Sequence, residues 1–169
     1  MRDRGSFDVS GWGVLQAVWE EDKLLYLSLT EGARPVLPAG KQDSFFVEVK
    51  RQVSAYLQGR LSRLDLPYTL PGQPAFCHRL WREAQEIPYG RVISYGALAA
   101  RAGNPRAARA AGYAMSINQL FLIVPCHRVI AGGGKLGGYG GRPDLKARLL
   151  TLEGLTVEEG RVLQKRPPA

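Results

Sequence analysis

The chain has 169 residues, of which 45% are hydrophobic and 22% charged, and its formal net charge at pH 7 is +8. This length suits one domain, or a main domain with a small appendage, and no apolar run approaches the roughly 20 residues of a membrane span or forms a signal-peptide core. The only cysteines are Cys77 and Cys126, which indicates no disulfide framework. We therefore expect an intracellular, cytoplasmic protein that does not associate with membranes.

The first 70 residues predict a small α/β unit, and no residue in it indicates chemistry. Apolar and polar residues alternate on both sides of a charged turn, which predicts a β-hairpin with strands from Val14 to Trp19 and from Leu24 to Leu29. A loop over residues 31–42 contains proline and glycine, and a short extended piece runs from Leu64 to Leu70.

A helix is predicted between that loop and that extended piece. Asp43 or Ser44 can cap its start, and it runs to about Gly59. Helical spacing predicts an apolar face made of Phe46, Val49, Val53 and Leu57.

The second part of the chain predicts mostly helices. The first of them stops before Pro88 and has an apolar face of Phe76, Leu80, Trp81 and Ala84. Cys77 falls on this face, so we expect a core residue, and we expect His78 at the surface or the helix end. A zinc site could formally combine these two residues with Cys126 and His127, but neither pair has a usual metal-ligand spacing.

Two further helices joined by a glycine turn predict a helix-turn-helix motif. Ser94 can cap a short helix through Ala102, which Gly103 ends. Asn104 can cap a second helix that begins at Pro105 and runs to Met115. The alanines and Gly112 of this second helix would allow close approach to another surface, which suits a DNA minor groove.

A long basic segment points to a nucleic-acid partner. Between Glu86 and Asp144 the chain has no acidic residue, and the same window holds seven cations: Arg91, Arg101, Arg106, Arg109, Arg128, Lys135 and Arg142. Arginine suits phosphate forks and stacking on bases. A solvated basic face is the simpler interpretation, but the window also contains Cys126, and we favour binding to nucleic acid.

The octapeptide from Ile123 to Ile130 contains the strongest chemical signal. Cys126 follows Pro125 after an apolar run, and His127 and Arg128 follow it directly. Because positive charge lowers the pKa of a thiol and the thiolate is the nucleophile, this arrangement predicts covalent chemistry at Cys126.

The remaining residues predict a glycine-rich loop, a helix and a tail. Residues 131–141 contain too many glycines for the interior of a regular element. A helix with Leu145, Leu149 and Leu152 on its inner face then ends before Gly154. We interpret residues 156–169 as a basic C-terminal tail.

Several of these segments together resemble the O6-alkylguanine-DNA alkyltransferase family. They are Arg91-Val92-Ile93-Ser94-Tyr95, the run from Gly103 to Ala110, Asn118, and Pro125-Cys126-His127-Arg128-Val129. The likeness covers about residues 74–155. It implies an α+β fold in which a small RNase H-like α/β domain (residues 1–70) precedes a mostly helical, winged-helix-like domain with the helix-turn-helix (residues 74–155).

The resemblance implies direct DNA repair by a single-turnover methyltransferase. An alkyl group, typically methyl, would pass irreversibly from O6 of guanine, and less readily from O4 of thymine, to the cysteine of the protein. No cofactor or metal is implied. The expected partner is double-stranded DNA containing O6-alkylguanine, bound through the minor groove with the nucleotide flipped out. We expect a monomer, nucleoid-associated if prokaryotic, and leave cooperative binding to DNA open.

The resemblance also assigns catalytic roles. Cys126 would accept the alkyl group, and a water would link it to His127. Glu153 would orient that histidine, although a surface acid at a helix end is the alternative. Tyr95 would donate a proton to N3 of the leaving guanine, or would only pack. Asn118 would tie the second helix to the cysteine turn, or would serve an ordinary turn.

The remaining implied roles concern DNA and the base. Arg109 would fill the stack after the nucleotide leaves, with a phosphate contact as the alternative. The other implied DNA contacts are Arg101, Arg106, Ala107, Ala108, Gly112 and Ser94. The implied pocket residues are Met115 on the alkyl side, Val129 and Cys126 through their carbonyls, Tyr139 against the base, and the Gly140 amide near O6.

Three departures and two alternatives accompany this interpretation. Gln119 stands where the family often has proline, Gly140 lacks a side chain that some relatives use, and the N-terminal part offers no zinc ligands. A cysteine hydrolase would share Cys126, His127 and Glu153 but should turn over. A non-catalytic lesion sensor would not need the thiol, and the presence of Cys126 argues against it.

Overall fold

The computed structural model describes residues 1–36 and 43–163 and has a mixed α/β fold. It divides into two compact units, one formed by Met1–Gly72 with Gln119–Ile123, and the other by residues 73–118 with the described residues from 124 onward. Within the described ranges, no helix is both long and apolar enough to cross a membrane.

Unit 1 contains a three-stranded antiparallel sheet of β1 (Asp3–Val9), β2 (Gly13–Glu20) and β3 (Lys23–Thr30), in that order. The predicted hairpin is confirmed as β2 and β3. Strand β1 has no counterpart in the sequence prediction, because only Phe7 and Val9 supply a weak apolar alternation. Its register against β2 runs from Asp3↔Trp19 to Val9↔Gly13.

Helix α1 (Ser44–Leu57) confirms the predicted helix of unit 1. The Asp43 carboxylate accepts hydrogen bonds from the backbone N–H of Phe45 (2.8 Å) and Phe46 (3.3 Å), so Asp43 is the N-cap. All four residues of the predicted apolar face are buried. The Trp19 ring stacks on Phe46 with centroids 5.2 Å apart, which joins helix to sheet. The last six residues of the predicted loop, 37–42, lie outside the described residues.

The extended piece from Leu64 to Leu70 contributes one parallel bridge, between Leu24 and Tyr68. The segment Gln119–Ile123 also joins unit 1. Its contacts are made to Leu27, which exchanges backbone hydrogen bonds with Gln119 (2.8 Å) and Phe121 (2.9 Å).

Unit 2 consists of short helices and strands. In chain order they are α2 (Ala75–Gln85), β4 (Ile93–Ser94), α3 (Tyr95–Arg101), α4 (Ala108–Ser116), a 3₁₀ turn (Cys126–Arg128), β5 (Val129–Ile130), a second 3₁₀ turn (Gly132–Gly134), α5 (Pro143–Leu152), β6 (Thr156–Glu158) and β7 (Arg161–Leu163). Strands β4 and β5 pair in parallel, and β6 and β7 pair antiparallel. The predicted cap of α3 is confirmed, because the Ala97 N–H donates to the Ser94 hydroxyl at 3.1 Å.

Helix α4 begins later than the predicted start at Pro105. The Asn104 side chain accepts from the Arg106 N–H at 3.2 Å, which forms a turn before the helix. Ala107 has φ −96° and ψ 32° and is the first flanking residue of α4. The prediction that Asn104 caps the helix is therefore wrong, because its side chain engages a local turn instead.

The predicted tail is wrong for residues 156–163, which form the hairpin of β6 and β7. Val162 packs in a buried cluster with Val92, Ile130, Leu136 and Leu150. Burial of the Val162 side chain in this cluster stabilises the hairpin as part of unit 2. Residues 164–169 lie outside the described part of the chain.

Candidate active site

Cys126 begins the 3₁₀ turn that follows Pro125 and is buried, with 7% of its surface exposed. The Asn118 side-chain amide, two residues after α4, donates to the Cys126 Sγ at 3.2 Å and to the Val124 carbonyl at 2.9 Å. The same amide nitrogen therefore fixes the position of both the Cys126 thiol and the Val124 carbonyl. These contacts link the end of α4 to the cysteine turn.

The protonation state of Cys126 differs from the sequence prediction. Burial raises the pKa of its thiol, and the opposing hydrogen bonds from Asn118 and Tyr139 and the positive charge of Lys146 do not outweigh it. The predicted lowering of this pKa by neighbouring charge is wrong, because the His127 and Arg128 side chains are directed to a carboxylate instead. The resting thiol is protonated, and a base must remove its proton.

His127 and Glu153 form a fully buried pair. The His127 Nε2 lies 2.6 Å from the Glu153 Oε1, and both side chains have no exposed surface. Burial lowers the pKa of His127 despite the opposing carboxylate, so the imidazole is neutral at pH 7. With Nε2 donating to the carboxylate, the basic lone pair is on Nδ1. Glu153 is thus a buried partner of His127 and not a surface acid.

Arg128 contacts the same carboxylate, a position that the sequence analysis did not predict. Its Nε lies 3.1 and 3.0 Å from the two Glu153 oxygens, and its Nη1 donates to the Ile87 carbonyl at 2.7 Å. Burial raises the pKa of Glu153, but the hydrogen bonds and charges of His127 and Arg128 outweigh this and lower it to about 2. Arg128 therefore belongs to the buried cluster and not to the basic surface that its sequence window indicated.

Lys146 in α5 is a second functional candidate absent from the sequence prediction. It has no exposed surface, and its Nζ donates to the Val129 carbonyl at 2.6 Å. The ammonium lies 5.6 and 5.8 Å from the ring centroids of Tyr95 and Tyr139. Burial lowers its pKa to about 8. The only sequence signal that could have found it is its helical spacing, because Lys146 precedes the apolar Leu149 and Leu150 by three and four residues.

Tyr95 and Tyr139 are half-buried beside the cysteine. Burial raises the pKa of Tyr95, and a negative charge at Cys126 would raise it further, so the phenol is protonated. Its hydroxyl is 3.4 Å from the Gly138 carbonyl. At Gly137, where φ is +73°, an added Cβ would lie 3.2 Å from the Tyr95 ring. The glycine-rich loop therefore passes close to Tyr95.

The predicted DNA-contact residues lie in α3, in α4, in the turn between them, and at Ser94 just before α3. Arg101, Arg106 and Arg109 are exposed, and the smaller residues Ala107, Ala108 and Gly112 are half-buried. Ser94 is half-buried and its oxygen accepts the capping hydrogen bond of α3. These residues share unit 2 with the cysteine, so the cations and the thiol belong to one compact unit.

The predicted pocket residues differ in exposure. Met115 and Val129 are buried, and Gly140 is exposed with φ +56°. Among the described residues, no three His, Cys, Asp or Glu side chains are grouped to hold a metal ion. Cys77 is buried, as predicted for a core residue, and His78 packs beside Trp81 with centroids 5.5 Å apart. The alternative zinc site is therefore not formed.

The chain is similar in sequence to proteins that transfer methyl groups from DNA to a cysteine. A family model for the DNA binding domain of 6-O-methylguanine DNA methyltransferase matches residues 75–155. A methylated-DNA–protein-cysteine methyltransferase of Methanosarcina acetivorans is 39% identical over 145 residues, which cover 84% of this chain and 92% of that protein. The chain therefore belongs to the methylated-DNA–protein-cysteine methyltransferase family.

Two solved structures from Mycobacterium tuberculosis are similar over most of their length. The crystal structure of its O6-methylguanine methyltransferase has a TM-score of 0.77 and 35% identity, covering 90% of this chain and 93% of that one. The structure of the M. tuberculosis OGT in complex with DNA has a TM-score of 0.75 and 36% identity, covering 89% and 91%.

Proposed function

We propose that the protein repairs DNA directly by transferring an alkyl group, typically methyl, from O6 of guanine in duplex DNA to its own Cys126. The observation that carries this proposal is the buried thiol held by Asn118 next to the His127–Glu153 pair. The relatives named for this activity support it. Each molecule acts once, because the thioether that forms is stable.

The transfer is a single displacement. The Cys126 sulfur forms a bond to the alkyl carbon as the bond from that carbon to O6 breaks, and the electron pair of that bond passes into the guanine ring. His127 takes the thiol proton through a water, and the Glu153 carboxylate stabilises the imidazolium. Because burial raises the pKa of the thiol, this proton transfer is necessary for attack.

Tyr95 completes the proton balance. Its phenol donates to N3 of guanine, so that neutral guanine leaves rather than its anion. The phenolate then regains the proton that had passed to His127. The raised pKa of Tyr95 keeps the phenol protonated before the reaction.

Recognition combines the exposed cations with the glycine-rich loop. In this proposal α3 and α4 form a helix-turn-helix of winged-helix type that enters the minor groove, and Arg109 fills the gap left by the flipped nucleotide. Arg101, Arg106, Ser94 and the small residues of α4 contact the DNA backbone. The carbonyls of Cys126 and Val129 accept from the guanine amine, Tyr139 covers the base, the Gly140 amide lies near O6, and Met115 borders the alkyl group.

The remaining features follow from the same proposal. Unit 1 is RNase H-like, which the three-stranded antiparallel sheet with α1 packed against it supports. The protein acts in the cytoplasm, where a reduced thiol such as Cys126 persists.

Peptide mapping tests the proposal. The protein is mixed with duplex DNA containing one O6-methylguanine, then digested and examined by mass spectrometry. We expect one added methyl on the Cys126 peptide, equal in amount to the DNA repaired, and none on Cys77, which serves as the internal control. Repeated turnover would indicate a hydrolase, and an unmodified Cys126 with unrepaired DNA would indicate a lesion sensor.

A matched variant separates chemistry from binding. Cys126→Ser should bind the same lesion duplex as well as the parent protein but transfer no methyl, because serine is not ionised near neutral pH. Retained transfer by this variant would remove Cys126 as the nucleophile.

A further inference from the structure

Tyr113 interrupts the otherwise small-residue surface of α4. Its side chain is 61% exposed, and it is the only exposed aromatic residue in the described ranges 1–36 and 43–163. An exposed aromatic ring is available to a partner, and such rings bury large apolar areas when they lie in an interface. Its position on the helix decides which partner can reach it.

The direction of Tyr113 is fixed by the packing of α4. The opposite face of the helix comprises Ala111, Ala114 and Met115, all buried. The Trp81 indole N–H donates to the Ala114 carbonyl at 2.9 Å, which anchors this face to α2. The ring therefore projects outward with the exposed residues of the helix.

Arg109 lies on the same outward face. Residues four apart on an α-helix are neighbours, so Tyr113 follows Arg109 by about one turn. Ala110, beside Arg109, is also exposed but presents only a methyl group. Along this face, Arg109 and Tyr113 are thus the long side chains in the first two turns of α4.

The charge around this face selects its partner. No carboxylate occurs between Glu86 and Asp144, and the exposed Arg101, Arg106 and Arg109 accompany the ring. A polyanion is complementary to such a surface, and its base or sugar faces can cover an aromatic ring. This combination favours DNA over an apolar protein partner.

We propose that Tyr113 is a second DNA-contact residue of α4, an aromatic wedge that packs into the minor groove beside the base step next to the site held by Arg109. The inference rests on the proposed function, which it extends by one residue. One helical turn rises about 5.4 Å, whereas base pairs are about 3.4 Å apart, so the ring reaches a step one to two base pairs from Arg109. Apolar wedges of this kind partially unstack base steps in other minor-groove proteins.

Three variants test the wedge. Tyr113→Ala removes the ring, Tyr113→Phe keeps the ring without the hydroxyl, and Val47→Ala removes an exposed apolar side chain on α1 as the control. Each is titrated into a short undamaged duplex that admits one protein, and into the same duplex with one O6-methylguanine. A fluorescent adenine analogue placed one or two base pairs from the lesion reports unstacking.

We expect Tyr113→Ala to bind both duplexes about tenfold more weakly and to lose the fluorescence rise at the neighbouring step. Tyr113→Phe and Val47→Ala should stay within about twofold of the parent, since the stacking face and not the hydroxyl makes the contact. The dependence of affinity on salt should be unchanged in Tyr113→Ala, because no charge is removed. Reaction with the free O6-methylguanine base should also be unchanged, which verifies that the variant is folded.

Other results would overturn the wedge. Equal or tighter binding by Tyr113→Ala would mean that the ring lies outside the groove or obstructs it. Equal losses in Tyr113→Phe and Tyr113→Ala would assign the contact to the hydroxyl. A change in cooperativity on long DNA, with unchanged binding to the short duplex, would assign the ring to a second copy of the chain. Binding to undamaged DNA does not require methyl transfer, so failure of the proposed function would be seen separately.

Discussion

Two groups of arginines in unit 2 contrast in their surroundings. Arg128 is buried against the Glu153 carboxylate, whereas Arg101 on α3, Arg106 in the turn before α4, and Arg109 on α4 are exposed. All four come from the same acid-free stretch of sequence. One stretch therefore supplies both an internal charge that contacts the His127–Glu153 pair and a surface that suits a polyanion.

Burial decides whether an arginine contributes to protein stability or to DNA binding. A buried ion pair is costly to break because the partner remains charged in a medium of low dielectric. Exposed cations contribute little to folding but attract phosphates over distances of about 10 Å. We therefore expect changes in the buried cluster to reduce stability and chemistry together, and changes on the exposed face to reduce only DNA binding.

Glu153→Gln should have the largest effect. It leaves the Arg128 charge buried without a countercharge, and it removes the carboxylate that stabilises the His127 imidazolium. We expect the protein to lose roughly 3 kcal/mol of unfolding free energy and transfer to slow about 100-fold, measured by urea unfolding and single-turnover assays. The control is Glu48→Gln, whose carboxylate also has a pKa of about 2 but lies exposed beside Arg51, and we expect a much smaller change. Equal changes in both variants would contradict the contrast between buried and exposed pairs.

A double variant separates the structural from the chemical role of the cluster. Arg128→Met combined with Glu153→Leu replaces the ion pair with apolar side chains, which should recover much of the lost stability. Transfer should remain slow, because His127 still lacks its carboxylate. Recovery of both the stability and the transfer rate would mean that Glu153 acts only in packing.

The buried pair also predicts a pH dependence. The pKa of Glu153 is lowered from 4.5 to about 2 in the folded protein, so its contribution to stability is present above pH 4.5 and is lost as the pH falls toward 2. The difference in unfolding free energy between the parent and Glu153→Gln should therefore shrink over this interval. A constant difference from pH 5 to pH 2 would contradict it.

Lys146→Met should have the next largest effect. The ammonium lowers the pKa of Cys126 and donates to the Val129 carbonyl. Its loss should slow transfer roughly tenfold near neutral pH, because no positive charge then favours the thiolate that forms during attack. Arg148→Met, an exposed cation on the same helix, is the control and should react at the parent rate. Equal transfer rates for the parent, Lys146→Met and Arg148→Met would show that Lys146 does not assist the reaction.

The sequence was sufficient to predict the parts of the fold that depend on local pattern. The β2–β3 hairpin and α1 follow from alternation, helical spacing and the Asp43 cap, and Ser94 marks the start of α3. Strand β1 was missed because its apolar alternation is weak, although it pairs with the adjacent β2. The two-residue β4–β5 pair joins Ile93 to Val129, and a local pattern does not contain such a distant partner.

The motif indicated Cys126 and His127 as candidate site residues, and the resemblance added Glu153, which lies 26 residues beyond the histidine and contacts it. Neither indicated that Arg128 and Lys146 belong to the buried charge network. Arg128 was misinterpreted because composition gives its charge and not the carboxylate it faces. The pKa of Cys126 could not be predicted because burial, a tertiary property, is the dominant influence.

Arg106→Ala should have the smallest effect of these variants. Removal of one phosphate contact should weaken binding to damaged and undamaged duplexes alike and should reduce the slope of log affinity against log salt by about 1. Unfolding free energy should not change. An unchanged slope would place Arg106 outside the DNA contact.

The most direct measurement compares two substrates. Single-turnover rates are determined for the parent, Glu153→Gln and Arg109→Ala with duplex DNA containing O6-methylguanine and with the free O6-methylguanine base. We expect Glu153→Gln to slow both reactions by a similar factor, whereas Arg109→Ala should slow only the duplex reaction, since the free base needs no extrusion. Equal losses on both substrates in Arg109→Ala, or a duplex-specific loss in Glu153→Gln, would contradict this expectation.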